Sequence, residues 1–215
     1  MQHNPYGPYE KYIKRPLDCF LSLFALVTLF PIIGVIAILV RIKLGFPIFF
    51  IQERPGKNEK IFKLYKFRTM TNKVDENGNL LPDAKRLTRF GIFLRSTSLD
   101  ELPELINIIK GDMALIGPRP LLIQYLPYYT EIEKIRHSIR PGLSGLAQVN
   151  GRNYINWDKR LALDVEYVNK ITFWGDICIF FSTITKVFGK KDVAVDTESA
   201  HEGYLDQIRK DVMKN

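Results

Sequence analysis

Residues 95–120, RSTSLDELPELINIIKGDMALIGPRP, decide how the chain is read. Two adjacent acids, Asp100 and Glu101, stand at the front, and a proline-flanked arginine, Arg119, stands at the end. Ser98-Leu-Asp-Glu101 fits a capping box, in which hydroxyl and carboxylate satisfy backbone N–H groups reciprocally. Pro103 opposes that register, because a cap at Ser98 puts its missing N–H inside the helix; a start nearer Asp100 removes the conflict. In both registers the acids sit beside free N–H groups, which keep a carboxylate ionised and attract phosphate. Leu102, Leu105, Ile106 and Ile109 supply a buried face, Gly111 ends the helix, and MALIG (113–117) reads as a short strand. Pro118, Arg119 and Pro120 then form a rigid turn whose guanidinium suits bidentate phosphate binding. An ionised acid and a phosphate-binding turn within about twenty residues are parts of phosphoryl transfer. Local sequence alone leaves both readings of the pair open, helix start and chemical group.

Upstream, residues 46–70 alternate aromatic and β-branched runs around RPGKNEK, which predicts a β-hairpin. Its aromatics, Phe49, Phe50, Phe62, Tyr65 and Phe67, suit either a membrane surface or a core. Residues 71–86 are polar, with Asn-Gly and Pro, and read as a loop. Downstream, a helix is expected through EIEKIRHS (131–138), stopping before Pro141, and the Gly-rich piece after it reads as a loop. Residues 157–189 suggest two helices, the second apolar and aromatic enough for a core or a membrane interface. The polar tail from 191 to 215 carries no readable role.

From Cys19 to Val40 no residue is charged, a run long enough to cross a hydrocarbon core of roughly 30 Å as a helix. It is too long for a signal-peptide core, and no small-residue cleavage site follows it. Pro31 predicts a kink near its middle. Both flanks are basic, Lys11, Lys14 and Arg15 before and Arg41 and Lys43 after, so charge gives no orientation. A helix that enters and returns on one side and a kinked bitopic anchor both remain open. Asp18 is expected at the headgroup level, paired with Lys14 one turn earlier.

The net charge of +8 implies anionic partners. No zinc-finger spacing, RNP aromatic motif or long basic helix is present, so nucleic acid is not expected. Two cysteines, Cys19 and Cys178, support neither a disulfide framework nor a zinc site and favour a reducing compartment. The three histidines, His3, His137 and His201, form no hydrolase pattern, and His137 reads as a surface or helix-end residue.

Taken in order, KRPLD, the Pro-kinked run, GFPIFFIQERPGKNEKIFKLYKFRTM, LRSTSLDELPELINIIKGDMALIGPRP, RPGLSGLAQVNGRN and DVEYV cover nearly the whole chain. This pattern resembles the bacterial sugar transferases, the monotopic phosphoglycosyl transferases that start glycoconjugate assembly on polyprenol phosphate. The resemblance implies transfer of a sugar 1-phosphate from a UDP-sugar donor to a membrane polyprenol phosphate acceptor, undecaprenyl phosphate in bacteria, with release of UMP. It makes Asp100 the nucleophile that forms an aspartyl phosphosugar. Glu101 becomes its partner in Mg²⁺ binding or acceptor activation. Two adjacent like charges also make a cation physically expected at Asp100 and Glu101.

By the same matching Lys66, Arg68, Arg95, Arg119, Arg140 and Arg152 are candidates for the phosphates, the nucleotide or the acceptor, and the backbone of Pro118–Pro120 for cradling phosphate. Gln148 and Asn150 are candidates for the nucleotide pocket. Asp164 is a candidate for holding an arginine or the metal, against an equally good i, i+4 bridge to Arg160. The family's first helix is re-entrant, with both ends in the cytoplasm. Phe30 departs from a pattern that often has Ser before the kinking Pro31; Thr28 and Ser22 are the hydroxyls available instead.

The expected architecture is α+β. A helix-rich catalytic domain with a small β-hairpin (45–190) follows a segment with the re-entrant helix (1–44) and precedes the tail (191–215). Further helices are expected to be amphipathic and interfacial, and the chain reads as the family's minimal form. The expected place is the bacterial cytoplasmic membrane, with the catalytic domain on the cytoplasmic face. A homodimer is unreadable, although the aromatic last helix is a plausible contact. Two other readings stay in view: a transferase that moves the bare sugar and releases UDP, and a non-catalytic scaffold on anionic lipid in which the acids only cap a helix.

Overall fold

The computed structural model describes residues 3–151, 155–189 and 203–212. A turn of π-helix, Tyr9–Ile13, leads into α1 (Lys14–Thr28), and α2 (Phe30–Leu44) follows after Leu29 alone. The pair is bent by 64°. Pro31 causes this by lying in the first turn of α2, where its missing N–H is harmless while its ring forbids a continuous helix from α1. The predicted kink is therefore a break. Among the described residues no single helix is long and apolar enough to cross a membrane; the bent pair together has that length and composition. Phe20, Phe24, Val27, Phe30, Val35, Ile38 and Ile42 point outward, while Ser22, Ile36, Val40 and Leu44 are buried. The Ser22 hydroxyl has no hydrogen-bond partner among the described residues, so it does not replace the serine absent at Phe30.

The foot of α1 is held by charge. Lys14 Nζ lies 2.6 Å from Asp176 and 3.7 Å from Asp18, and the Tyr9 and Tyr167 hydroxyls donate to the same Asp176 carboxylate. Asp18, only 5 % exposed, is inside the protein. The pairing with Lys14 is as expected, and Lys14 stands between the two acids, closer to Asp176.

β1 (Phe49–Pro55) and β2 (Ile61–Phe67) form the predicted antiparallel hairpin, with Phe49 opposite Phe67 and Pro55 opposite Ile61. Phe62, Leu64 and Phe67 join the core, whereas Phe49, Phe50 and Ile51 stay exposed. The polar loop folds back on itself, with the Thr71 N–H donating to the Arg86 carbonyl, and ends in α3 (Asp83–Arg86). α4 (Arg89–Ser96) starts on a Thr88 side-chain cap.

The capping box does not form. Ser98 is left-handed (φ 53°) and makes no side-chain cap bond; a 3-10 turn spans Leu99–Glu101, and α5 (Glu104–Lys110) begins only after Pro103. The missing N–H of Pro103 is tolerated just ahead of a helix and not within it, which decides between the two registers in favour of neither.

β3 (Ala114–Ile116) pairs in parallel with β4 (Gly142–Ser144), and α6 (Leu146–Val149) follows, where sequence suggested a loop. Glycine permits the pairing, since a Cβ on Gly142 would lie 2.1 Å from the Gly117 nitrogen. The helix expected over 131–138 is a 3-10 turn, Glu133–Ser138, and another, Ile123–Tyr128, precedes it. α7 (Trp157–Asn169) and α8 (Phe173–Gly189) match the two predicted helices; Trp174, Phe180 and Phe181 of α8 are exposed.

Part of the supposed tail is packed structure. α9 (Leu205–Val212) inserts a fully buried Leu205 into a cluster with Leu121, Tyr125, Tyr129, Trp157 and Leu161. Arg209 fixes it there through Glu133, Asp158 and the Tyr128 carbonyl. The architecture is α+β and helix-rich with a small antiparallel hairpin, as expected.

Candidate active site

The site is built around α5, and Asn107 sets where that helix lies. Fully buried, Asn107 accepts from the Tyr65 N–H (3.1 Å) and donates to the Lys63 carbonyl (2.7 Å), so its amide pairs with the free edge of β2. The opposite end is held by two guanidiniums. Arg15 of α1 donates to the Ile108 and Ile109 carbonyls (2.6 and 3.1 Å), and Arg140 Nε donates to the Gly111 carbonyl (2.8 Å). The Ile108 carbonyl also accepts from the Gly111 N–H (3.0 Å), while the Ile109 and Gly111 carbonyls lie at the helix end, where intrahelical donors run out.

Fixed in this way, α5 and the turn before it bring three acids against three cations. Lys66 Nζ lies 2.7 Å from Glu101 and 3.1 Å from Glu104, and Arg119 Nη2 lies 3.3 Å from Glu101. Arg95 donates from Nε to Thr69 Oγ1 (3.1 Å), and its charge reaches Asp100. The approach of α4 that delivers Arg95 depends on Gly91, where a Cβ would lie 1.9 Å from the Thr69 carbonyl oxygen.

Asp100 is 8 % exposed. Burial, then the neighbouring Glu101, push its pKa up to about 6, against the pull of Lys66 and Arg95. It stands in the turn ahead of α5, so the cations, more than free helix N–H groups, favour its ionised form. Burial, then Glu101, raise Glu104 to about 7 against Lys66. Burial opposes the Lys66 and Arg119 charges, but Glu101 and Glu104 outweigh it and leave both pKa values raised. The result is a charge-balanced cluster with Asp100 buried and Arg119, whose side chain is 45 % exposed, at its open side.

Among the described residues no group of three acid, histidine or cysteine side chains is placed to hold a metal ion alone. Asp100 and Glu101 supply two carboxylates, the donor type and number magnesium takes from a protein, with Glu101 Oε1 held by Lys66 and Arg119.

The other sequence candidates divide. Lys66, Arg95, Arg119 and the Pro118–Pro120 turn gather at the acids. Arg140 does not; it lies at the far end of α5. Arg68, 6 % exposed, donates to the Phe46 carbonyl (2.9 Å) and ties the foot of the hairpin. Gln148 donates to the Leu143 carbonyl and leaves its Oε1 buried without a partner among the described residues, and Asn150 donates to the Leu146 carbonyl. Arg152 lies outside the described residues. Asp164 is 2 % exposed and holds Arg136 at 2.8 Å, which makes it an internal anchor for an arginine that sequence did not single out. His137 ends a helical turn as expected, but it is 3 % exposed, and burial, then Arg136, lower its pKa to about 3.

Sequence also missed Glu104 and Arg54. Glu104 is one helical turn from Glu101, a spacing that puts both on Lys66, and this was legible. Arg54, read as the first residue of the hairpin turn, is a residue of β1 opposite Phe62, and it donates weakly to the Pro120 carbonyl (3.4 Å).

A family model described as bacterial sugar transferase matches residues 9–190. The chain is 50 % identical over 175 residues to EpsL of Bacillus subtilis (strain 168), an uncharacterised sugar transferase, covering 81 % of this chain and 87 % of that one. It is 36 % identical over 199 residues to the UDP-glucose:undecaprenyl-phosphate glucose-1-phosphate transferase of Escherichia coli (strain K12), covering 87 % of this chain and 42 % of that one. It is 35 % identical over 211 residues to the undecaprenyl-phosphate galactose phosphotransferase of Salmonella typhimurium (strain LT2), covering 90 % and 44 %. The chain thus spans less than half the length of these two longer relatives. With a family match that runs through every element from α1 to α8, the chain belongs to the bacterial sugar transferase family.

Proposed function

We propose that the chain transfers a sugar 1-phosphate from a UDP-sugar to a membrane polyprenol phosphate, releasing UMP, through an aspartyl phosphosugar on Asp100. The observation that carries this reading is the buried Asp100 carboxylate within the fields of Lys66, Arg95 and Arg119, with Arg119 of the Pro118–Pro120 turn paired to the adjacent Glu101. The names of the Escherichia coli and Salmonella typhimurium relatives support the donor and acceptor classes.

In the first displacement an Asp100 oxygen attacks the β-phosphorus, the bridging P–O bond breaks, and UMP leaves with the electron pair. Arg119 and Lys66 hold the negative charge on the leaving phosphate, and burial of Asp100 keeps water from the acyl phosphate. In the second, a phosphate oxygen of the acceptor attacks the same phosphorus and the Asp100–phosphorus bond breaks, restoring the carboxylate. Asp100 and Glu101 are the residues that would hold magnesium, whose contribution when bound is to neutralise pyrophosphate charge. α1 and α2 enter and leave the bilayer on the cytoplasmic face, with their outward apolar side chains in lipid, so the site meets the acceptor's headgroup at the membrane surface.

Detergent-purified protein with magnesium and a panel of UDP-sugars, without acceptor, should gain a sugar-phosphate mass that Asp100→Asn lacks. With acceptor present, the nucleotide released should be UMP. Release of UDP would replace this reading with transfer of the bare sugar, and UMP release untouched by Asp100→Asn would end the covalent mechanism.

A further inference from the structure

We propose that Arg136 is a positioning residue for the Pro118–Pro120 turn, acting through the Arg119 carbonyl. The proposal rests on the reading of that turn as the grip on the donor's pyrophosphate. Arg136 is 3 % exposed, and all three of its guanidinium nitrogens donate. Nε and Nη2 donate to one Asp164 oxygen (3.0 and 2.8 Å), Nη1 donates to the Tyr129 hydroxyl (3.3 Å), and Nη2 also donates to the Arg119 carbonyl at 2.7 Å.

Stability alone is a poor reason for this arrangement, because a buried ion pair gains little over apolar side chains of the same volume. Position is the better reason. A phosphate-gripping turn has to keep its own carbonyl oxygens, which repel phosphate, turned away. Here all three are held: Pro118 O accepts from the Gly142 N–H (2.9 Å), Arg119 O from Arg136, and Pro120 O from Arg54 Nη1 (3.4 Å). Pro118 and Pro120 fix φ on either side of Arg119 and Pro120 restricts the Arg119 ψ, which leaves the Pro118 ψ and the Arg119 φ as the soft torsions; turning about them swings the Arg119 carbonyl. Arg136 is the group that holds it, and its planar fork is needed because Nε and Nη2 grip Asp164 while Nη2 also reaches the carbonyl and Nη1 reaches Tyr129. With that carbonyl drawn back, the Arg119 guanidinium faces Glu101.

The test uses the full chain in detergent and two variants. Arg136→Lys keeps the charge beside Asp164 but loses the shared fork. The double change Arg136→Met with Asp164→Leu replaces the pair by apolar volume and restores packing. Inorganic pyrophosphate binding is measured by calorimetry with magnesium, the folded state by thermal melting, and donor KM and kcat by nucleotide release. The expected result is a melt near wild type for the double variant, with pyrophosphate affinity about ten-fold lower in both variants, the effect of losing one well-placed hydrogen bond. A raised donor KM should accompany it. Wild-type pyrophosphate affinity in either folded variant overturns the proposal, and so does failure of both to fold, since the pair is then a structural requirement. Absence of nucleotide release by wild type that still binds pyrophosphate overturns the transferase reading and leaves this one tested. Absence of pyrophosphate binding by wild type overturns the role of the turn and this proposal with it.

Discussion

The side-chain amide of Asn107 stands where a third strand would, on the open edge of β2. Asn107→Leu keeps the volume but leaves the Tyr65 N–H and Lys63 C=O unpaired, which should destabilise the fold by about 2–4 kcal/mol in denaturant titrations. An unmoved midpoint would mean other groups satisfy them. His137 makes a second prediction at this scale, in pH. Its pKa falls from the ordinary 6.5 to about 3, so the folded chain keeps the ring neutral where the unfolded chain protonates it. The stability it supports is complete above pH 6.5 and is lost as pH falls toward 3, by about 1.4 kcal/mol per unit. Melting curves across that range should show the slope, and His137→Gln should flatten it. Neither role was legible in sequence. An asparagine inside an apolar helix and a lone histidine show their type, while their partners, Lys63, Tyr65 and the ring of Tyr129 with Arg136, are chosen by the fold.

Among the elements, α5 was the most legible. Its apolar spacing and Gly111 announce a helix and its end, while Asp100, Glu101, Lys66, Arg95 and Arg119 are pointed to as one site by the family resemblance and not by α5 itself. Its start stays open in sequence, because Ser98 and Glu101 satisfy a local rule that Pro103 opposes, and the helix begins in neither register, at Glu104. β4 was missed because a strand of three residues, Gly142–Ser144, is too short to show alternation. The caps on α5 give a prediction that separates two uses of an arginine. Arg15→Gln and Arg140→Gln should each lower stability by about 1–2 kcal/mol, by exposing the last carbonyls of the helix. Donor KM should be unchanged in Arg140→Gln when assayed well below its melting temperature. A raised KM at unchanged stability would return Arg140 to the substrate.

Over the whole molecule, residues far apart in sequence lock together. Lys14 meets Asp176 across 162 positions, and Arg209 reaches back 76 to Glu133. Such pairs are invisible in a linear reading, since each charge alone looks like a solvated surface residue. α9 was missed for the same reason: its apolar face has meaning only once Leu121, Tyr125, Trp157 and Leu161 are assembled. Ending the chain at residue 202 should uncover that cluster and destabilise the protein by about 2–4 kcal/mol, chiefly through loss of the Leu205 burial and the Arg209 bonds, read as a lower melting temperature. A melt identical to wild type would show that the helix adds nothing. α9 also lies beyond residue 190, where the family match stops. Enzymes swapped between family members at that boundary would inherit a core with one wall missing, so a chimaera joined at 190 has to bring residues 203–212 along, or receive polar substitutions at Leu121, Tyr125 and Trp157 to remain soluble.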